Sequence, residues 1–421
     1  MNNSRGFSRR NFLAASAALL AFGKGREVQS SDRYSGPYLM TIHAGGGWDL
    51  SLFCDPKTNM PDQLPITNWS ETSDIETEGS ISFAPVANNR ELFGAIGADA
   101  LIINGVDTQT NAHSTGQRHT WTGAPSEGRP TLGALFAAAR APDAPLSLIN
   151  FGSFGADQGL VRTTRIAAGG LKELITPRDD QEASLLARYK RRGYDLEAAR
   201  AQDDSALAGR LTDYQSMMLA RGLLYDFYHR LPDEMPQPDA VTGGVSSLKA
   251  QILTGLIAFS AGTTASAECG PGGDWDTHGL GESAQINNFR ALNEALIFLR
   301  GAALELGIFD QVVVIVSSDF GRTPYYNSFG GKDHWPINSY LLMQGNQDWG
   351  GRVVGKTDHV QNAMAIDPNT LQVSSSASLT YPKHVHNALH HYLGIADFAA
   401  EAGYGFAQTS LYDFFNPQLM T

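Results

Sequence analysis

Four short stretches carry residue types that can act together on a cation or an anion. Gly272-Gly273-Asp274-Trp275-Asp276-Thr277-His278 places two acids and an imidazole after a Gly/Pro cluster. Ser317-Ser318-Asp319 closes an apolar run, and the Gly-rich loop after it presents Asp333 and His334. Gly45-Gly46-Gly47-Trp48-Asp49 closes an earlier apolar run in the same manner. Imidazole nitrogens and carboxylate oxygens are the donors that divalent ions take. Asp49, Asp276, His278, Asp319 and His334 are therefore candidate ligands for an ion such as Zn, Mn, Ca or Mg. The alternative at each is structural: a solvated Asp in a tight turn, or a histidine satisfied within the fold. The fourth stretch, Asn111-Ala112-His113-Ser114-Thr115-Gly116, can open a helix. A hydroxyl at such a terminus, Ser114 or Thr115, is placed either to cap the helix or to attack an electrophile.

The elements that position these residues follow from the apolar runs. Gln311 to Val316 is a β-branched run after a helical pattern closed by Gly307, which predicts a strand buried on both faces. Tyr38–His43, Leu101–Asn104, Leu146–Phe151 and Ile337–Met343 read as further strands. Helices are expected over Ala134–Ala141, Ser247–Phe259 and Gln285–Leu306, the last with one apolar face at helical period. Strands alternating with helices make a doubly wound α/β fold with a mostly parallel sheet, whose ligands lie beyond the carboxyl ends of the strands. Residues 182–238 are charged and rich in Ala and Leu, and they read as a helical insertion or cap beside the sheet. His384, His386, His390 and His391 open or lie on a last helix and are assigned structural or surface roles.

Composition limits what the chain can be. Its 421 residues are 42% apolar and 18% charged, ordinary for a globular protein. A net charge of −12 argues against nucleic acid as a partner and suits a site that holds cations. No apolar run is long enough for an integral membrane span. Ser8-Arg9-Arg10-Asn11-Phe12-Leu13 followed by a short apolar segment reads as a twin-arginine signal over residues 1–30. That implies use of the twin-arginine export machinery and a periplasmic or secreted protein, with residues 31–421 as the folded domain. An oxidising compartment permits a Cys54–Cys269 disulfide, with two independent buried thiols as the alternative.

HAGGGWD, HSTGQRHTWTG, GGDWDTH, SSDFGRTP, GKDHW and YPKHVHNALHHYLGI, in this order, resemble the alkaline phosphatase and sulfatase superfamily, and within it an exported branch with twin-arginine signals. The resemblance spans nearly all of residues 31–421. It implies an alkaline-phosphatase-like α/β sheet with metal at the strand tips and hydrolysis of phosphate or sulfate esters, of small molecules or polymers. Mapped onto this chain, Asp49 and Asp319 would share one metal with the nucleophile, Ser114 or Thr115. Asp276, His278 and His334 would hold a second. Arg322 or Arg118 would clamp the anion, since a guanidinium fork matches such oxygens. The chain departs from the pattern at Phe320, where the superfamily usually places a metal-binding His. That departure favours a rival reading, a non-catalytic exported binding or assembly protein with a degenerate metal site.

Overall fold

The computed structural model describes residues 33–175, 219–236 and 248–419. The expected signal at residues 1–30 lies outside them, as does most of the expected insertion at 182–238. Of that insertion, Leu224, Phe227 and Leu231 are described and join the core.

Among the described residues the central element is an eight-stranded sheet. Its strands are β1 (Tyr38–Ala44), β2 (Ala100–Asp107), β3 (Leu148–Asn150), β4 (Thr163–Arg165), β5 (Ser266–Cys269), β6 (Val312–Ser318), β7 (Ile337–Met343) and β8 (Arg352–Val354). Their spatial order is β8-β2-β7-β6-β1-β5-β3-β4. Pairing is parallel except around β7, which runs antiparallel to both β2 and β6. The fold is thus the expected α/β type with a mostly parallel sheet. Three of its strands carry too little apolar pattern to be read beforehand. β5 is the clearest case, a four-residue run whose Glu268 is buried against the Thr131 hydroxyl (2.5 Å) and the Asn150 amide (2.7 Å).

Side chains alternate along the strands between two cores. Tyr38, Met40 and Ile42 of β1 and Val312, Val314 and Val316 of β6 enter one core. Leu39, Val313 and Ile315 enter the other. Helices α1 (Asn89–Ile96), α4 (Leu248–Ser260) and α5 (Gly281–Glu305) cover the first face. Helices α3 (Leu132–Arg140) and α6 (Pro382–Tyr392) cover the second, and α2 (His113–Thr122) reaches over the strand tips to α6. A strand covered on both faces needs no polar side, which is why β1 and β6 are apolar without alternation. Cys54 and Cys269 are separate buried thiols.

Candidate metal centre

The carboxyl ends of β1 and β6 lie side by side, with His43 opposite Ser317 and Ala44 opposite Ser318. Three loops meet there. Gly45–Gly47 leaves β1, residues 270–278 leave β5, and residues 319–336 leave β6 and return through a two-residue ribbon that pairs Arg322 with His334. Gly46 has φ of +129°, and a Cβ on it would stand 2.8 Å from the Asp276 nitrogen, so only glycine lets the first two loops touch. Gly116 performs the same service for α2, because a Cβ there would stand 2.7 Å from the Asp319 carbonyl oxygen.

Arg322 stitches these loops together. Its fully buried guanidinium donates to the carbonyl oxygens of Gly46, Gly47 (3.0 Å), Trp275 (2.8 Å) and Lys332 (3.1 Å), and to Asp276 Oδ1 (2.8 Å). It is therefore placed as a strut and not as a clamp for a substrate anion. Arg118 is likewise engaged, by the Pro125 carbonyl (3.0 Å) and Glu127 (3.1 Å).

Around Asp276 the structure gathers imidazoles from three segments. Asp276 Oδ1 lies 3.0 Å from His334 Nε2 and 3.0 Å from His278 Nε2, while Oδ2 lies 3.3 Å from His113 Nε2. Donor atoms of His113, Asp276 and His334 all fall within 4.8 Å of one another. Each imidazole is oriented through its other nitrogen. His334 Nδ1 donates to the Asn111 carbonyl (2.7 Å), His278 Nδ1 to Asp333 (2.6 Å) and His113 Nδ1 to Asp319 (2.7 Å). The acceptors are a carbonyl and two carboxylates, so Nδ1 carries the hydrogen in all three rings. Every Nε2 of a neutral ring then presents a lone pair toward Asp276, the arrangement in which histidines ligate metal.

Two further observations fit a cation. Among the described residues His113 Nε2 is buried without a hydrogen-bond partner. His278 Nε2 and His334 Nε2 face each other at 2.8 Å, where two lone pairs repel unless a proton or a metal ion lies between them. The electrostatics agree. Burial pushes the Asp276 carboxyl up, but its neighbours, led by the hydrogen bond from the Arg322 guanidinium, outweigh it and hold the group below the usual carboxylate range. Asp319 follows the same pattern, its burial outweighed by His113 and His43. The hydrogen bond to Asp319 raises the His113 imidazole, so a bound cation there would displace a proton.

The expected residues are thus only partly brought together. Asp276, His278 and His334 lie together. Asp319 abuts the cluster through His113, with its oxygens held by His43 Nε2 (2.6 Å), His113 and the Gly46 amide (3.0 Å). Asp49 lies outside it. One oxygen caps a short helix by accepting from the Ser51 amide and hydroxyl (3.1 and 2.6 Å), and the other meets Lys332 Nζ at 2.7 Å. Ser114 does not cap α2, which begins one residue earlier after Ala112, and Ser114 is exposed. His113 and His43 join the cluster in addition to these residues, and both stand in the stretches that carry the resemblance.

A cavity of about 680 Å³ opens beside the cluster, walled by His43, His113, Asp276 and Asp319 at one end. Gln117, Ser153, Phe154 and Trp275 continue the lining, and neither Ser114 nor Thr115 contributes to it. Among the described residues no Arg or Lys lines it.

Residues 256–395 match the model of a family described as a protein of unknown function, DUF1501. No curated protein matches the chain. Similar solved structures include the lipoteichoic acid synthase LtaP from Listeria monocytogenes, at 8% identity and a TM-score of 0.41 over 97% of this chain and 81% of that one. They also include the alkaline phosphatase of the Antarctic bacterium TAB5, at 13% identity and 0.35 over 76% and 95%. A third is the phosphonate monoester hydrolase of Agrobacterium radiobacter, at 12% and 0.33 over 85% and 74%. Among the described residues no helix is long and apolar enough to cross a membrane.

Proposed function

We propose that this chain is an exported, metal-dependent hydrolase of phosphate or sulfate esters. The observation that carries the proposal is the convergence of His113, His278 and His334 Nε2 on Asp276 beside a cavity that His113 and Asp276 help to line. Bound there, a divalent cation would neutralise the charge of an anionic ester and ease deprotonation of the attacking hydroxyl. Nitrogen-rich donors suit Zn better than Mn, Ca or Mg, which favour oxygen sets.

The chain's own residues orient and exclude. Asp319, Asp333 and the Asn111 carbonyl hold three imidazoles in one tautomer. The buried Phe320 ring packs 4.5 Å from the His334 ring and 5.0 Å from the His113 ring, and so keeps water from one side of the cluster. Gln117 and Ser153 offer neutral hydrogen bonds to a substrate in the cavity. The attacking group is assigned to the Ser114/Thr115 pair, beside His113 on the first turn of α2.

The test is hydrolysis of aryl phosphate, phosphodiester and aryl sulfate by metal-stripped protein, with Zn, Mn, Ca and Mg restored singly. Turnover should require a metal and vanish in Asp276→Ala and His334→Ala. Loss in a Ser114→Ala/Thr115→Ala double variant supports a protein nucleophile, whereas survival reassigns attack to water. Turnover absent with metal bound would overturn the hydrolase reading in favour of a non-catalytic exported binding protein. The absence of Ser114 and Thr115 from the cavity wall favours that second reading. Export is tested separately, since Arg9→Lys/Arg10→Lys should retain the protein in the cytoplasm.

A further inference from the structure

We propose that the centre is mononuclear, and that protein groups hold the residues to which the resemblance gives a further cation. The inference rests on the metal-centre reading above and concerns how many ions that centre takes. Asp49, Asp319 and Phe320 are the positions at issue, and each is chemically closed to a metal.

Asp49 is 2% exposed and Lys332 is 4% exposed. The ammonium group, 2.7 Å from Oδ2, already supplies the positive charge that a buried carboxylate needs. Ser51 completes the arrangement, donating to Asp49 Oδ1 (2.6 Å) while its oxygen accepts from Lys332 Nζ (2.9 Å). A cation entering here would leave a buried ammonium group without its partner. Asp319 is closed differently. His43 occupies Oδ1, and His113 together with the Gly46 amide occupies Oδ2. Turning either oxygen to a second metal would release the ring whose tautomer Asp319 sets. Phe320 is fully buried and carries no donor atom. Among the described residues Asp49 and Asp319 share no hydrogen-bonding partner.

These closed groups still serve the cation that the cluster does fit. The carbonyl of Lys332 accepts from Arg322 Nη1 (3.1 Å), and Arg322 Nη2 holds Asp276 (2.8 Å). His43 holds Asp319, which holds His113. His43 is thus a positioning residue that acts on a ligand of the ion through Asp319, whereas Lys332 contributes through its backbone carbonyl alone, which a side-chain substitution keeps.

Metal-stripped full chain titrated calorimetrically with Zn²⁺, with metal content read by mass spectrometry, should bind one equivalent. Two equivalents would overturn the mononuclear assignment and leave the hydrolase reading standing if ester turnover persists. None would overturn both. One equivalent without ester turnover supports the mononuclear centre while removing the hydrolase reading. For the positioning role, Co²⁺ affinity should fall about 10–100-fold in His43→Leu and recover in His43→Gln, which keeps an N–H for Asp319. The visible Co²⁺ spectrum should shift in the Leu variant alone. Unchanged affinity in His43→Leu would overturn that role. Should His43→Leu fail to fold, Asp319→Asn gives the same reading, weaker binding with one equivalent retained at saturating metal. An Asp49→Asn/Lys332→Met double variant, which leaves no lone buried charge, should also keep one equivalent, and loss of that equivalent would make Asp49 a ligand and refute the assignment.

Discussion

Replacing Lys332 by Met isolates the buried ion pair on which the site's loops rest. The pair lies at 2.7 Å with side chains 3% and 4% exposed. Removing one member of a buried pair strands the other charge and costs about 3–5 kcal/mol, far above the 0–1 kcal/mol of a surface pair. The Ser51 hydroxyl and amide still donate to Asp49 Oδ1, so the lower end of that range, about 3 kcal/mol, is expected. Urea unfolding of wild type, Lys332→Met, Asp49→Leu and the double variant forms a double-mutant cycle that separates the pair from the packing around it. The single changes should each be strongly destabilising, and the double variant should recover most of the loss, since an apolar pair leaves no charge uncompensated. A Lys332→Met loss below about 1 kcal/mol would refute the reasoning, because it would give the pair a surface pair's strength. Equal instability of single and double variants would do so too, by tracing the loss to packing.

Burial lowers the His386 imidazole to about 4 from 6.5, and its Nε2 donates to the Thr120 carbonyl at 2.8 Å. The unfolded chain therefore binds a proton below pH 6.5 that the folded chain does not bind until about pH 4. Stability is lost as pH falls through that window, by about 2 kcal/mol on reaching pH 5. His386→Gln should flatten the pH dependence of urea unfolding by that amount, and an unchanged slope would count against it. Gly46→Ala would force a Cβ to 2.8 Å from the Asp276 nitrogen at a φ of +129°. It should cost about 1–3 kcal/mol of backbone strain and weaken metal binding, both readable in one titration of folded protein. Gly116→Ala should weaken metal binding through His113 alone, by pushing α2 off the Asp319 carbonyl, and unaltered affinity there would detach α2 from the site.

The parts of the fold legible in the sequence were those whose pattern has one physical cause. β6 and β1 are buried on both faces, so their apolar runs have few alternatives, and α5 shows its apolar face over seven turns. β5 was hidden because its third residue is an acid, and the Thr131 and Asn150 partners, distant in sequence, help make Glu268 tolerable in a core. The same reason governs the site. GGDWDTH could be read as donors because its residues are adjacent, and His334 could be joined to it because a strand tip and the next loop are close in any such fold. His113 and His43 required knowing that Asp319 faces two strands' ends at once. A carboxylate at a strand tip can be a metal ligand or the acceptor that turns an imidazole into one, and sequence spacing does not separate these. What separates them is the neighbour: three imidazole Nε2 atoms, each oriented through its own Nδ1–H, face Asp276, whereas Asp319 accepts from His113 Nδ1–H and the Gly46 amide and meets His43 Nε2 at 2.6 Å. A carboxylate that accepts hydrogen bonds on both oxygens is placed to orient ligands, and one that faces several imidazole nitrogens is placed to share an ion with them. By that distinction Phe320 is consistent with its surroundings, since the Asp beside it does not need the metal that a histidine there would have shared.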